Sequence, residues 1–392
     1  MSRVASTRGS VLGLRGFPVR PSSGASLPGR ALFALTVLFV LFGLLSVYSA
    51  GSYVAHAQGL DDGHFVFGQA SRAAIGLLAL TVASIVDYRV YQKLAWPILA
   101  LAVLLLIPLI LPGTQTIAPE WNGARRWLRL GVTIQPSELA KLAVVAWTAA
   151  IAVKKQEKLH EFREGILPIV LVVAGVCGLV LLEPHFSAAL WIAVLAAIVL
   201  FVAGARLTHF LLGVAAVVPV GVLAALASDY RRARIAAFIS TFVDPSSVAA
   251  TSGYQLRQSM IAIGSGGLTG VGFGRSSLKM EYLPEPQNDF IFSIIAEEWG
   301  FIGAALVILL FLAWALIGLR IARAAPDLFG RLVAIGITAL VAFAAFGHIA
   351  VALGLMPTTG INLPFISAGG TNLILVLGAT GILLNVSKAG RS

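Results

Sequence analysis

Three groups of residues in this chain have types and spacings that could do chemistry. The first is acidic and opens a strongly apolar stretch, DFIFSIIAEEWG (289–300). If that stretch is helical, Glu297 and Glu298 lie about 12 Å deeper than Asp289, at a rise of 1.5 Å per residue. Acids that deep in an apolar element are costly and usually face an interior or a cavity. A line of carboxylates leading inward from an aqueous mouth suits proton transfer or ion passage. Asp289 alone also reads as a helix N-cap. The second group is basic, in WNGARRWLRLGVTIQPSELAK (121–141). Arg125, Arg126 and Arg129 stand at i, i+1 and i+4, so a helical turn there would put the cations on one side. Guanidinium forks match phosphate oxygens bidentately; the plainer alternative is snorkelling to lipid phosphates, with Trp121 and Trp127 as interface anchors. The third is MPTTGINLPFISAGG (356–370), whose prolines and glycines interrupt an otherwise uncharged run. It is either a tight turn or non-helical backbone at membrane depth, which is tolerated only where protein or a water-filled cavity surrounds it.

Several chemistries are excluded. Glycines at 264, 266, 267, 270, 272 and 274 could form a phosphate nest or a flexible hinge, but no P-loop and no strand–GxGxxG–helix pattern accompanies them. A single cysteine, Cys177, excludes a disulfide framework and a cysteine-built zinc site. Six scattered histidines with no HExxH give no metal centre.

The elements that must position these groups are membrane helices. Of the 392 residues, 58% are hydrophobic and 11% charged, against about 25% charged in soluble domains. Mean hydropathy is +0.92. Uncharged runs near the length of about 20 residues that a bilayer demands recur at 31–50, 73–86, 94–111, 142–153, 165–182, 184–205, 207–228, 299–319 and 332–387. The 356–370 stretch divides the last run, so ten spans are expected and both termini share one side. That side carries 17 basic and 5 acidic residues in its connections, against 11 and 12 elsewhere. The positive-inside bias therefore makes the termini cytoplasmic. The formal charge of +11 is a topology signal and needs no nucleic acid. Residues 1–30 read as a disordered cytoplasmic tail, 31–388 as one ten-span domain, and 229–289 as a large, ordered extracytoplasmic loop between spans seven and eight, either a structural cap or a functional segment.

Four stretches together resemble the SEDS (shape, elongation, division, sporulation) family: GARRWLRLGVTIQPSELAKL (123–142), LEPHFSAAL (182–190), the segment 253–303 with its YLPEPQNDF, and MPTTGINLPFISAGG (356–370). The YLPE and PTTG elements look more like the FtsW and SpoVE branch than RodA. The family usually has Asp at His185, Asn at His348, Tyr at Ala368 and Ser-Ser at Thr371 and Asn372.

The resemblance implies a peptidoglycan glycosyltransferase, serving cell division, that polymerises lipid II at the outer face of the bacterial cytoplasmic membrane. Its partners would be a class B penicillin-binding protein and other divisome or elongation membrane proteins. Carried over, Asp289 is the general base that deprotonates the acceptor 4-hydroxyl, and undecaprenyl diphosphate is the leaving group. Arg125, Arg126, Arg129, Lys141, Arg257 and Lys279, with Arg275 behind them, are candidates to hold the diphosphate. Glu138, Glu281, Glu285, Glu298 and Ser367 would support the site. The donor is already activated by its diphosphate, so no nucleotide site is required; a divalent cation, Mg or Mn, could bridge the diphosphate and Asp289 or Glu298. Two other classes fit the same features: a transporter that flips lipid II through the same cavity, and a non-catalytic scaffold.

Overall fold

A computed structural model of the protein describes residues 26–121, 124–226, 229–243, 251–277, 279 and 287–390. The long apolar runs are helices, because side chains without hydrogen-bonding groups leave the backbone to satisfy itself within each segment. In chain order they are α1 (Leu27–Ala57), α2 (His64–Ile85), the short α3 (Arg89–Lys93), α4 (Ala95–Ile110) and α5 (Pro136–Lys154). A 3-10 turn (Gln156–Lys158) and a π turn (Phe162–Ile166) lead into α6 (Leu167–Leu182) and α7 (Phe186–Val202). Then come α8 (Leu207–Leu226), α9 (Asp229–Val243), α10 (Thr251–Ser265), α11 (Ile291–Ala324), α12 (Leu328–Ala352) and α13 (Gly370–Ala389).

Each of the ten expected apolar segments is helical. Among the described residues, seven helices are long and apolar enough to cross a membrane by length and composition, and α4 and α7 are shorter apolar helices. α1 starts at Leu27, ahead of the expected boundary at residue 31. The remainder of the expected tail lies outside the described residues.

Hydrogen bonds sort the connections into two ends. At one end the Ser26 and Ser387 hydroxyls bond each other, and Tyr88 N donates to Asn385 Oδ1 at 2.9 Å. There too, Arg89 pairs with Asp327 at 2.9 Å. The first and last described turns thus share an end. At the other end Gln135 N donates to Thr371 Oγ1 at 3.0 Å, and Gln69 Nε2 to the Ser367 carbonyl at 2.9 Å.

Two departures from regular helix shape that second end. Residues 353–369 are non-helical and far longer than a single tight turn. They dip into the bundle, where Phe365 is 2% exposed and lies 5.9 Å from the rings of both Phe39 and Trp314. Gly43 of α1 admits this plug: a Cβ there would stand 2.6 Å from the Phe365 carbonyl oxygen. Phe365 itself has φ +65°, a conformation costly for a bulky residue and held by burial on all sides. Protein surrounds this non-helical backbone, as it must at membrane depth.

The second departure is a break in α11 at Gly300, φ +66° and ψ −165°. The glycine-rich loop after α10 fills the break. Val271 N and Gly272 N donate to the Glu297 and Glu298 carbonyls at 3.0 and 3.1 Å, and Phe301 N and Ile302 N donate back to Gly267 and Leu268. The loop is held by backbone pairing rather than left as an open anion nest: Gly272 N serves α11, Gly266 N and Gly270 N donate to the Ala262 and Gly266 carbonyls, and the glycines at 266 and 270 allow close backbone approach. A Cβ on Gly270 would sit 2.1 Å from the Glu298 oxygen.

Candidate active site

Asp289 sits in the turn Gln287–Phe290 that leads into α11, and it is half-buried. The N-cap of α11 is Phe290, with no side-chain capping bond, so the N-cap alternative for Asp289 is not realised. The turn is stapled to the plug at successive points. Ser367 Oγ donates to the Asn288 carbonyl at 2.9 Å and accepts from Leu363 N at 2.8 Å. Ala368 N donates to the Gln287 carbonyl at 3.1 Å. A Cβ built on Gly360 would lie 3.9 Å from Asp289 Oδ1, so the missing side chain leaves space beside the carboxylate.

Around this turn the polar groups are incompletely paired. Among the described residues, Gln69 Oε1, Gln287 Oε1 and Thr359 Oγ1 are buried without a hydrogen-bond partner. Buried polar groups are normally paired, so this cluster is suited to a polar ligand. Gln69 and Arg72, both from α2, were not singled out from the sequence, although a lone amide or cation inside an apolar span is a recognisable signal. Arg72 reaches the start of α13, its Nε 3.5 Å from where a Gly370 Cβ would be.

The arginine tract is not a helical turn. Residues Leu128–Leu130 (β1) and Val132–Ile134 (β2) form an antiparallel hairpin, turning at Gly131 with φ +81°. In extended chain the three guanidiniums diverge. Arg125 donates to the Leu111 carbonyl at 3.1 Å and borders an open cleft of about 330 Å³. Arg126 donates to the Pro184 carbonyl at 2.9 Å. Arg129 is exposed and lies over the Trp121 ring, 4.7 Å from its centroid.

Beyond the hairpin, α5 brings Glu138 and Lys141 to the start of α13. Their ion pair is 2.7 Å long, and Asn372 Nδ2 donates to the other Glu138 oxygen at 2.7 Å. Thr371 receives Gln135 N. The arginine hairpin, the Glu138–Lys141 pair and the Asp289 turn thus converge on one stretch, residues 367–372.

The deeper acids have structural partners. Glu297 is bonded by the hydroxyls of Ser276 and Ser277 and by Ser277 N. Glu298 is 4% exposed, accepts from Ser49 and lies 3.7 Å from Lys279 Nζ. The expectation of carboxylates lining an aqueous path inward is corrected here: both acids clamp the glycine loop to α11. Lys279, expected on the diphosphate, is turned inward, and its ammonium also donates to the Ser49 and Gly274 carbonyls. Arg257 and Arg275 are exposed on α10 and the glycine loop. Glu281 and Glu285 lie outside the described residues.

The positions that depart from the family pattern gather at the same end. His348 Nδ1 donates to the Ile361 carbonyl at 2.7 Å, which fixes its tautomer. His185, 8% exposed, faces Ser137 Oγ at 3.3 Å. Near it Glu183 is 1% exposed, and among the described residues neither carboxylate oxygen has a hydrogen-bond partner. Burial raises its pKa to about 8 against the pull of Arg126.

Of the two carboxylates expected to share a divalent cation with the diphosphate, Asp289 or Glu298, the second is occupied within the protein. Glu298 lies about two helical turns deeper and is committed to Ser49 and Lys279. Among the described residues no three His, Cys, Asp or Glu side chains converge.

Fold and site together define a polytopic helical membrane protein with a carboxylate at one mouth of the bundle, beside a buried non-helical plug. The family model described as a cell cycle protein, covering FtsW, RodA and SpoVE, matches residues 30–392. The chain is 38% identical over 369 residues to stage V sporulation protein E of Bacillus subtilis, spanning 93% of this chain and 98% of that one. It is 40% identical over 357 residues to the probable peptidoglycan glycosyltransferase FtsW of Geobacter metallireducens, spanning 91% and 93%. Among solved structures, a chain of a peptidoglycan synthase complex that coordinates polymerization and crosslinking superposes with a TM-score of 0.72 at 28% identity, over 91% of this chain and 96% of that one. The rod shape determining protein RodA of Thermus thermophilus gives 0.65 at 28% identity, over 92% and 97%. This chain belongs to the FtsW, RodA and SpoVE family.

Proposed function

We propose that this protein is a peptidoglycan glycosyltransferase that polymerises lipid II, with Asp289 as general base. The observation that carries the assignment is the setting of Asp289: half-buried, fixed through its own turn to the plug, beside the open space at Gly360 and the unpaired Gln69, Gln287 and Thr359 atoms. A base must be held where its substrate hydroxyl arrives, and it must reach solvent to discharge the proton.

In this reading the acceptor 4-hydroxyl gives its proton to Asp289 as its oxygen attacks the donor's anomeric carbon. The bond to undecaprenyl diphosphate breaks on the opposite face, so the α-linked donor yields a β-1,4 link with inversion. The diphosphate leaves with its charge, and cations fixed in advance stabilise it. Arg129 of the hairpin, Arg125 just ahead of it, and Arg72 and Lys141 beside residues 370–372 are the candidates among those described. The position of Asp289 just ahead of α11 favours its ionised form through the helix dipole.

The topology that accompanies this reading is ten spans with cytoplasmic termini, which sets Asp289 at the outer face of the bacterial inner membrane. The likeness to the synthase-complex chain supports a class B penicillin-binding protein as partner, and the FtsW relatives support service in cell division.

The test is glycan-chain formation from labelled lipid II by purified protein, with and without the co-expressed penicillin-binding protein. Wild type forms polymer, and Asp289→Asn loses about 10²–10⁴-fold in rate, the usual worth of a positioned base, while remaining folded. Transfer of lipid II across liposomes without polymer would replace this reading with a flippase.

A further inference from the structure

At the end of the bundle away from Asp289, α1, α2 and α13 leave a groove of about 210 Å³ between them. We propose that this groove binds the headgroup of an anionic phospholipid, with its phosphate between Arg30 and Lys388 and its chain laid along Phe33.

Charge is the first argument. Arg30 and Lys388 both line the groove, and among the described residues no acid does. Arg30 is exposed, and its guanidinium makes no hydrogen bond or ion pair among the described residues. Lys388 is fixed at the rim by a 3.1 Å bond from its ammonium to the Ser84 carbonyl. An arginine fork and an ammonium from two helices make a pincer that matches a phosphate diester.

Hydroxyl chemistry is the second. Ser26 and Ser387 meet in the groove and share one hydrogen bond, and Ser26 also accepts from Gly29 N at 3.2 Å. Two hydroxyls hold two protons and the shared bond uses one. The other remains to be donated to a phosphate or glycerol oxygen.

Depth and shape are the third. α1 has 31 residues, about 46 Å at 1.5 Å per residue, whereas a hydrocarbon core is about 30 Å thick. That surplus lets its first turn stand at headgroup level. One turn further in, Phe33 is 45% exposed over the buried Leu80 and Leu384, an apolar wall where an acyl chain begins. The groove is small beside the roughly 300–1,000 Å³ of whole-ligand pockets, which suits a headgroup whose chains run outside it.

The other basic cavity at this end differs. Lys154, Lys155 and Lys158 line it together with Glu157 and Glu164. Lys155 donates to the Glu164 carbonyl and Lys158 pairs with the Glu164 carboxylate, so its charge is largely compensated within the protein.

The inference rests on the membrane-spanning reading and not on the enzymatic one, and its test reads lipid rather than polymer. The full chain is purified from bilayers of mixed phosphatidylglycerol and phosphatidylcholine, and retained lipid is measured by mass spectrometry. Wild type retains phosphatidylglycerol several-fold above its share of the mixture. Arg30→Gln/Lys388→Gln brings retention down to that share, Arg30→Lys/Lys388→Arg preserves the enrichment, and Phe33→Ala lowers it. Lys154→Gln/Lys155→Gln leaves it unchanged. Should the double variant fail to fold, Arg30→Gln and Lys388→Gln singly each give an intermediate loss. Enrichment that survives loss of both cations, or falls equally in the Lys154/Lys155 variant, overturns the proposal. So does displacement by millimolar inorganic phosphate, which would mark a bare anion site.

Discussion

The Ser367 hydroxyl donates to the Asn288 carbonyl at 2.9 Å, one residue before Asp289. Through that bond a buried serine of the plug sets where the carboxylate of a different segment stands. Ser367→Ala removes it and leaves Leu363 N without its side-chain acceptor. A bond of this kind is worth about 0.5–1.5 kcal/mol, so polymerisation is expected to slow by up to about tenfold. The loss should fall on kcat with KM little changed, and Ser367→Thr should restore part of it. An equal loss through KM would mark Ser367 as part of substrate binding instead.

The Glu298–Lys279 pair should behave as a buried ion pair whose halves cannot be removed singly. Lys279→Met leaves a carboxylate at 4% exposure with Ser49 as its remaining side-chain partner. Removing one member of such a pair typically costs about 3–5 kcal/mol. Lys279→Met/Glu298→Gln is expected to recover most of that, as read by thermal unfolding in detergent. A double variant as unstable as the single would disprove the coupling.

Gly300 is where α11 breaks to admit the glycine loop. With φ +66°, and a Cβ only 2.4 Å from Gly270 N, Gly300→Ala must either strain the backbone or expel the loop. Strained backbone of this sort costs about 1–3 kcal/mol. The melting temperature should fall, and proteolysis within 266–277 should accelerate. Gly175→Ala, on α6 with nothing near its would-be Cβ, is the control and should be neutral or slightly stabilising.

Glu183 makes stability depend on pH. Burial raises its pKa from 4.5 in the ordinary case to about 8 in the fold, so the folded protein keeps a proton that the unfolded chain gives up. Its contribution is fully present below about pH 4.5 and is lost as pH rises toward about 8. Glu183→Gln cannot ionise, so its melting temperature should change less over that window than that of wild type. Parallel curves for the two proteins would show that the carboxyl is solvated in the fold.

Much of the architecture was legible in the sequence because a bilayer imposes a constraint that acts on each segment by itself. A run such as Ala31–Ala50 must satisfy its own backbone, so it is helical whatever its neighbours do. The place of Asp289 at the start of α11 follows from the same logic. The arginine tract misled because i, i+1, i+4 spacing groups side chains only on a helix. Leu128–Ile134 pairs as strands around Gly131, and strands aim successive residues apart. Glu297 and Glu298 misled for a related reason: depth marks a buried acid as important without saying what answers its charge.

Sequence by itself determined the apolar helices, the family, and the acid that opens α11, since length, composition and motif are properties of contiguous residues. Tertiary structure decided that Ser367 positions the turn before Asp289, that Ser49 and Lys279 claim Glu298, that Gln69 and Arg72 of α2 join the site, and that the glycines serve α11. Those relationships join residues up to 298 positions apart, where the short reach of hydrogen bonds leaves no trace in local spacing and packing alone selects the partner.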